Sequence, residues 1–187
     1  MDLEEIGFYT LSDSRVKQVS ANSPLWRCEL VLTARCNFTC PYCRHVGGQD
    51  MPYGDALNVV KLWANQGLKN IRFSGGEPTL YPYLRHLASY AKIRGIERIA
   101  LSTNGSASPE LYEELLACGV NDFSISLDAC CAEDSDRMTG GVKGVFENIT
   151  NNIKWLSERT YVTVGVVLNE MNIDKLNDII KYADSLG

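Results

Sequence analysis

At 187 residues the chain has the length of one domain able to bury a sizeable core. Its 45% hydrophobic and 22% charged residues are ordinary for a globular protein, and a net charge of −5 leaves no broad basic surface for nucleic acid. No apolar run approaches the ~20 residues that span a bilayer, and the acidic start Met1-Asp2-Leu3-Glu4-Glu5 lacks the pattern of a secretory leader. Seven cysteines in such a chain point to a reducing compartment with metal use, so a cytoplasmic location is expected.

Residues 1–26 are expected to form an N-terminal extension and 27–187 one domain. In the extension, 7–11 and 15–19 are predicted to pair as a hairpin across Ser12-Asp13-Ser14. Asn22-Ser23-Pro24 then interrupts regular structure. From Arg27 onward short β-branched runs alternate with longer amphipathic ones. The spacing predicts strands over 28–34, 70–74, 97–103, 121–127 and 161–168. Helices are predicted over 54–66, 81–94, 109–118, 142–157 and 173–186. Pro109 suits the first helical position after Ser108, and Gly119 stops that helix. Five strand–helix units in succession imply an α/β fold with parallel strands, right-handed crossovers and outer helices. Too few to close an eight-stranded barrel, they suggest an open, partial (βα) barrel.

In such architectures chemistry collects at the carboxyl ends of the strands. The first strand ends at Cys36-Asn37-Phe38-Thr39-Cys40-Pro41-Tyr42-Cys43, three cysteines spaced C-x3-C-x2-C. Closely spaced thiolates let one loop wrap several corners of an iron–sulfur cluster. Four irons need four ligands; with three from this loop, one iron stays open to a non-protein ligand. Zinc held by Cys36, Cys40, Cys43 and His45 is an alternative set, and plain buried cysteines are another.

The second strand ends at Ser74-Gly75-Gly76-Glu77-Pro78, where two glycines permit close backbone approach and Pro78 fixes the exit. A simple strand–helix turn would also use Gly-Gly. Ser102-Thr103-Asn104-Gly105 and Ser126-Leu127-Asp128 end the third and fourth strands with small polar groups that suit a ribose or a carboxylate, or merely caps and turns. Cys28 and Cys118 read as small buried hydrophobes. Cys130-Cys131, just beyond Asp128, could carry a thiol function. Gly140-Gly141-Val142-Lys143-Gly144 matches no phosphate-loop spacing and reads as the lead into the helix from Val142.

The C-x3-C-x-aromatic-C loop ending in Tyr42-Cys43, followed one unit later by Gly75-Gly76-Glu77-Pro78, resembles the signature of the radical S-adenosylmethionine (SAM) enzymes. The resemblance implies that Cys36, Cys40 and Cys43 bind a [4Fe–4S] cluster whose fourth iron is chelated by SAM. It further implies that Gly75, Gly76, Glu77 and Pro78 form the motif that holds the SAM amino group, largely through backbone atoms. Tyr42 would contact adenine through its backbone, Ser126 would meet the ribose, and Asn104 and Asp128 would complete the cofactor pocket. One electron from an external donor such as a flavodoxin or ferredoxin would cleave SAM to methionine and a 5′-deoxyadenosyl radical. That radical would abstract hydrogen from a small-molecule or peptide substrate.

Within that family the pattern most resembles the GTP 3′,8-cyclase type, on 33–38, 72–76, 102–105 and 137–140. The resemblance fails at the substrate: Glu29 stands where that type has an arginine, and Thr163 where it has a lysine. Only Arg72 and Ser102 remain as candidate catalytic residues on the substrate side. Two cations exchanged for an acid and a hydroxyl do not make a triphosphate site. A glycyl-radical activating enzyme and a zinc-stabilised binding module are the alternative functions. The chain ends at Leu186-Gly187, short of the sixth strand of typical relatives, so a fragment or a minimal form is expected.

Overall fold

The computed structural model describes residues 26–44 and 48–187. The predicted hairpin over 7–19 and His45 of the zinc alternative lie outside them. Five strands, β1 (Arg27–Thr33), β2 (Asn70–Gly75), β3 (Arg98–Thr103), β4 (Asp122–Ser126) and β5 (Tyr161–Gly165), pair in parallel in sequence order. Helices α1 (Tyr53–Asn65), α2 (Leu84–Ile93), α3 (Pro109–Cys118), α4 (Ala132–Met138), α5 (Val145–Ser157) and α6 (Leu176–Asp184) lie between and after them. This is the expected open, partial barrel with outer helices.

Alternation along each strand separates two faces. Leu30, Leu32, Ile71, Phe73, Ile99, Leu101, Phe123 and Ile125 are at most 4% exposed and pack with Val60, Leu87, Leu115, Ile153 and Leu156 from the helices. Cys28 and Cys118 are half-buried against this core. The opposite face carries Glu29 beside Arg72, and Ser102 beside Ser124, which pairs on with Thr163. Burying the apolar face drives folding; the polar face is left for chemistry.

The departures from expectation have local causes. The helix predicted from 81 begins at Leu84, because Pro78–Leu80 form a 3-10 turn and Tyr81, ahead of Pro82, is extended at ψ 118°. A residue before proline is pushed out of the helical region. The strand predicted through 168 stops at Gly165, and Val167 donates its N–H to the Asp128 carboxylate at 2.6 Å. Helix α4 was not predicted: Ala-Glu-Asp-Ser-Asp-Arg-Met holds too few apolar residues to show a helical period. The helix predicted from 142 starts at Val145, and that predicted from 173 opens with a 3-10 turn, Ile173–Lys175.

Candidate active site

The turn after β2 carries the start of the cysteine loop on its back. Gly76 donates its N–H to the Thr33 carbonyl at 2.8 Å, and Glu77 donates to the Arg35 carbonyl at 2.7 Å. A Cβ on Gly76 would overlap the Arg35 carbonyl, so this approach requires glycine. On the far side of the loop, Thr39 donates its N–H to the Thr139 carbonyl at 3.2 Å, and Gly140 sits against the Thr39 backbone. The glycine stretch read as a helix lead is therefore a second support for the loop.

Between these supports Cys36, Cys40, Tyr42 and Cys43 line a cavity of about 250 Å³. Gly75, Gly76, Ser102, Asn104, Ser126 and Asp128 line it from the strand ends. Burial pushes the Cys36 and Cys40 thiols up, so a metal entering here must displace their protons. Cys36 Sγ faces two donors, the Phe38 N–H at 3.4 Å and Asn104 Nδ2 at 3.9 Å. Among the described residues, no three His, Cys, Asp or Glu side chains converge on one metal ion.

Glu77 and Pro78 lie beneath the cavity rather than on it. Glu77 is fully buried; Oε1 accepts from Thr79 N–H (3.0 Å), Thr79 Oγ1 (2.7 Å) and Thr103 Oγ1 (2.8 Å), and Oε2 accepts from Asn104 N–H (2.7 Å). Burial raises this carboxyl's pKa, while its donors pull the other way. The side chain thus locks the β2 turn to the end of β3. Pro78 opens the 3-10 turn and is buried.

Tyr42 donates its hydroxyl to Asp128 Oδ2, and Asp128 Oδ1 accepts from Val167 N–H, so both carboxylate oxygens have protein partners. Burial raises both groups, the tyrosine further through Asp128 itself. Asp128 is a tie between the cysteine loop and the segment after β5. Asn172, itself buried, reinforces it by donating to the carbonyls of Asp128 (3.2 Å) and Val167 (3.0 Å).

Arg72 lines neither this cavity nor its neighbour. Its Nη1 donates to Ser102 Oγ at 3.0 Å, Nη2 lies 4.0 Å from Asp122, and burial lowers its pKa. It reaches the site only through Ser102. A second chamber of about 740 Å³ shares Cys43, Gly75, Gly76 and Ser102 with the first and is walled by Glu29, Val31 and Asp55. Cys130 and Cys131 line neither space; Cys131 donates to Asp134 at 3.3 Å.

A family profile described as Radical SAM superfamily matches residues 30–183. The chain is 31% identical over 163 residues to the AdoMet-dependent heme synthase of Methanosarcina barkeri, covering 83% of this chain and 46% of that protein. It is 32% identical over 162 residues to the GTP 3′,8-cyclase of Syntrophomonas wolfei, covering 81% of this chain and 49% of that one. The crystal structure of Streptococcus suis SuiB bound to S-adenosylmethionine superposes with a TM-score of 0.72 at 16% identity, over 88% of this chain and 37% of that chain. The chain thus spans about half the length of the curated relatives it matches. Fold, motif order and similarity agree: the chain belongs to the radical SAM superfamily, whose enzymes work with a [4Fe–4S] cluster and SAM.

Proposed function

We propose that this protein cleaves SAM reductively at a [4Fe–4S] cluster held by Cys36, Cys40 and Cys43 and uses the resulting radical to abstract hydrogen from a substrate. The observation that carries this reading is that all three thiols of one loop open into one cavity, beside the carboxyl ends of β2, β3 and β4. The donor set fits the cluster. Three thiolates that each take their own iron need no common centre, whereas a zinc ion needs its sulfurs ~2.3 Å from one point. When bound, the cluster supplies one electron to the sulfonium, which breaks to methionine and a 5′-deoxyadenosyl radical.

The chain's own groups would bind and orient. Gly76 has spent its N–H on Thr33, while its carbonyl accepts no hydrogen bond among the described residues and suits an ammonium group. Ser126, exposed at the lip of the cavity, suits a ribose hydroxyl. Asn104, Glu77 and Asp128 act as positioning residues. Ser102, common to both spaces, is the residue best placed to meet a substrate, with Arg72 orienting its hydroxyl. The substrate is a small molecule or peptide entering by the larger chamber, and a flavodoxin- or ferredoxin-type protein supplies the electron.

Anaerobic reconstitution tests this. The wild type should carry about four irons and four sulfides per chain and, with dithionite and SAM, release 5′-deoxyadenosine. Cys40→Ala should lose colour and product together. Product formation that survives this change, or a colourless wild type, overturns the reading.

A further inference from the structure

Asn104 was expected to touch the cofactor, but the structure gives its side chain a more particular setting. Its Oδ1 accepts from the Ser106 N–H at 3.0 Å and from Ser106 Oγ at 2.6 Å. Its Nδ2 donates to Asn37 Oδ1 at 2.8 Å, and Asn37 Nδ2 donates to Ser106 Oγ at 2.8 Å. The three side chains close a head-to-tail ring, Asn104 to Asn37 to Ser106 and back, that joins the cysteine loop to the loop after β3.

The Ser106 backbone fixes which way the amide points. A backbone N–H can only donate, so the atom of Asn104 facing the Ser106 N–H must be its oxygen. The amide nitrogen then carries two hydrogens, and the Asn37 carbonyl takes one. The other is left on the side of Cys36 Sγ, 3.9 Å from the nitrogen. The Asn104 backbone is held in turn by the Glu77 carboxylate at 2.7 Å. A donor so constrained loses little orientational freedom when charge builds on the sulfur.

We propose that Asn104 is a redox-positioning residue: its amide N–H, oriented by the Ser106 backbone N–H and the Asn37 side chain, stabilises negative charge on Cys36 and sets the reduction potential of the cluster. This rests on the reading of the loop as a cluster site. The reduced cluster carries one more electron than the oxidised one, and donors to its sulfurs favour the reduced form. Cys36 has a second donor in the Phe38 N–H, which no side-chain change removes. Asn104 is therefore the adjustable half of the pair.

The test uses the full chain, reconstituted without oxygen, as wild type, Asn104→Asp and Ser106→Ala. Iron and sulfide are counted first. A wild type without iron overturns the cluster reading and this inference with it; a loaded wild type leaves the inference to stand or fall on the potentials. EPR-monitored titration should then show Asn104→Asp, at full iron, titrating lower. Poised at the wild-type midpoint, its reduced-to-oxidised ratio should drop about tenfold, or about 59 mV for one electron. Ser106→Ala keeps the backbone N–H that orients the amide and should titrate with the wild type. An unshifted Asn104→Asp, or a Ser106→Ala shifted as far, shows a purely structural role and overturns the proposal. Should Asn104→Asp hold no iron, the wild type alone decides. With 15N confined to asparagine side-chain amides, pulsed EPR of the reduced cluster should show one coupled nitrogen; none overturns the proposal.

Discussion

Gly140 lies so close beneath Thr39 that a single methyl group on it would overlap the Thr39 carbonyl oxygen. Gly140 adopts φ 81° and the adjacent Gly141 φ 94°, so both carry the same left-handed cost on substitution. Only Gly140 abuts the cysteine loop; a Cβ on Gly141 meets nothing within 4 Å. Gly140→Ala should therefore cost more than Gly141→Ala, with an excess of about 1–3 kcal/mol for the displaced loop. Iron bound per chain should fall in the first variant and hold in the second. Denaturant unfolding and iron counting read both, and equal behaviour of the two variants would show that the contact supports nothing.

Glu77 gives a second test of how the loop is held. Two of its four donors are backbone N–H groups, those of Thr79 and Asn104, which cannot turn into acceptors. Glu77→Gln puts an NH2 group where one carboxylate oxygen stood, so a buried donor must face a donor. The variant should lose about 1–3 kcal/mol of stability. Its SAM binding should weaken as well, although the side chain does not line the cavity. A variant with wild-type unfolding midpoint and SAM affinity would remove Glu77 from the positioning machinery.

These two supports differ in how far they can be seen in the sequence. Glu77 belongs to a contiguous run that announces itself, and the cysteine loop does likewise. Both are local patterns whose chemistry is complete within a few residues. Gly140 carries no such mark, because what makes it necessary is Thr39, about a hundred residues earlier in the chain. The ring of Asn37, Ser106 and Asn104 is hidden for the same reason, its members 67 and 69 residues apart across the loops. Strand alternation tells which face Arg72 occupies but not how deep it sits, and its burial behind Ser102 emerges only from the packing. Asp128 was legible as a polar strand end; that both of its oxygens are taken depends on Tyr42 and on where β5 stops.

Removing the Tyr42 hydroxyl should expose the worth of that tie. Tyr42→Phe leaves a carboxylate oxygen of the buried Asp128 without its donor, at a cost of about 1–3 kcal/mol. Asp128→Asn offers one oxygen to two donors, Tyr42 Oη and Val167 N–H, and should cost a similar amount. If the two residues act as a unit, the double variant will cost clearly less than the sum, and the coupling is read from a double-mutant cycle in urea. Tyr42 and Val167 both line the cavity, so each variant should also bind SAM several-fold more weakly. Additive losses would place the tie elsewhere.

The last prediction concerns pH and lies away from the cysteine loop. Asp134, on α4, accepts from Arg137 on its own helix and from Lys175 in the turn before α6. The Lys175 hydrogen bond first, then that of Arg137, hold its carboxyl down at about 2 against an ordinary 3.8. A lowered folded-state pKa means that the charged form contributes stability above the ordinary value. That contribution drains away as pH falls from about 4 toward about 2. Asp134→Asn cannot take part in this change. The wild type should exceed the variant in urea midpoint at pH 6, and the gap should be the same at pH 5. Below pH 4 it should narrow progressively, because only the wild type has a folded-state carboxylate at this position left to protonate. The tie joins α4 to the segment whose upstream residue Val167 lines the cavity, so loss of α4 contacts should also lower amide-exchange protection there. A gap that stays constant from pH 6 to pH 3 would mean that the two cations contribute nothing through this carboxylate.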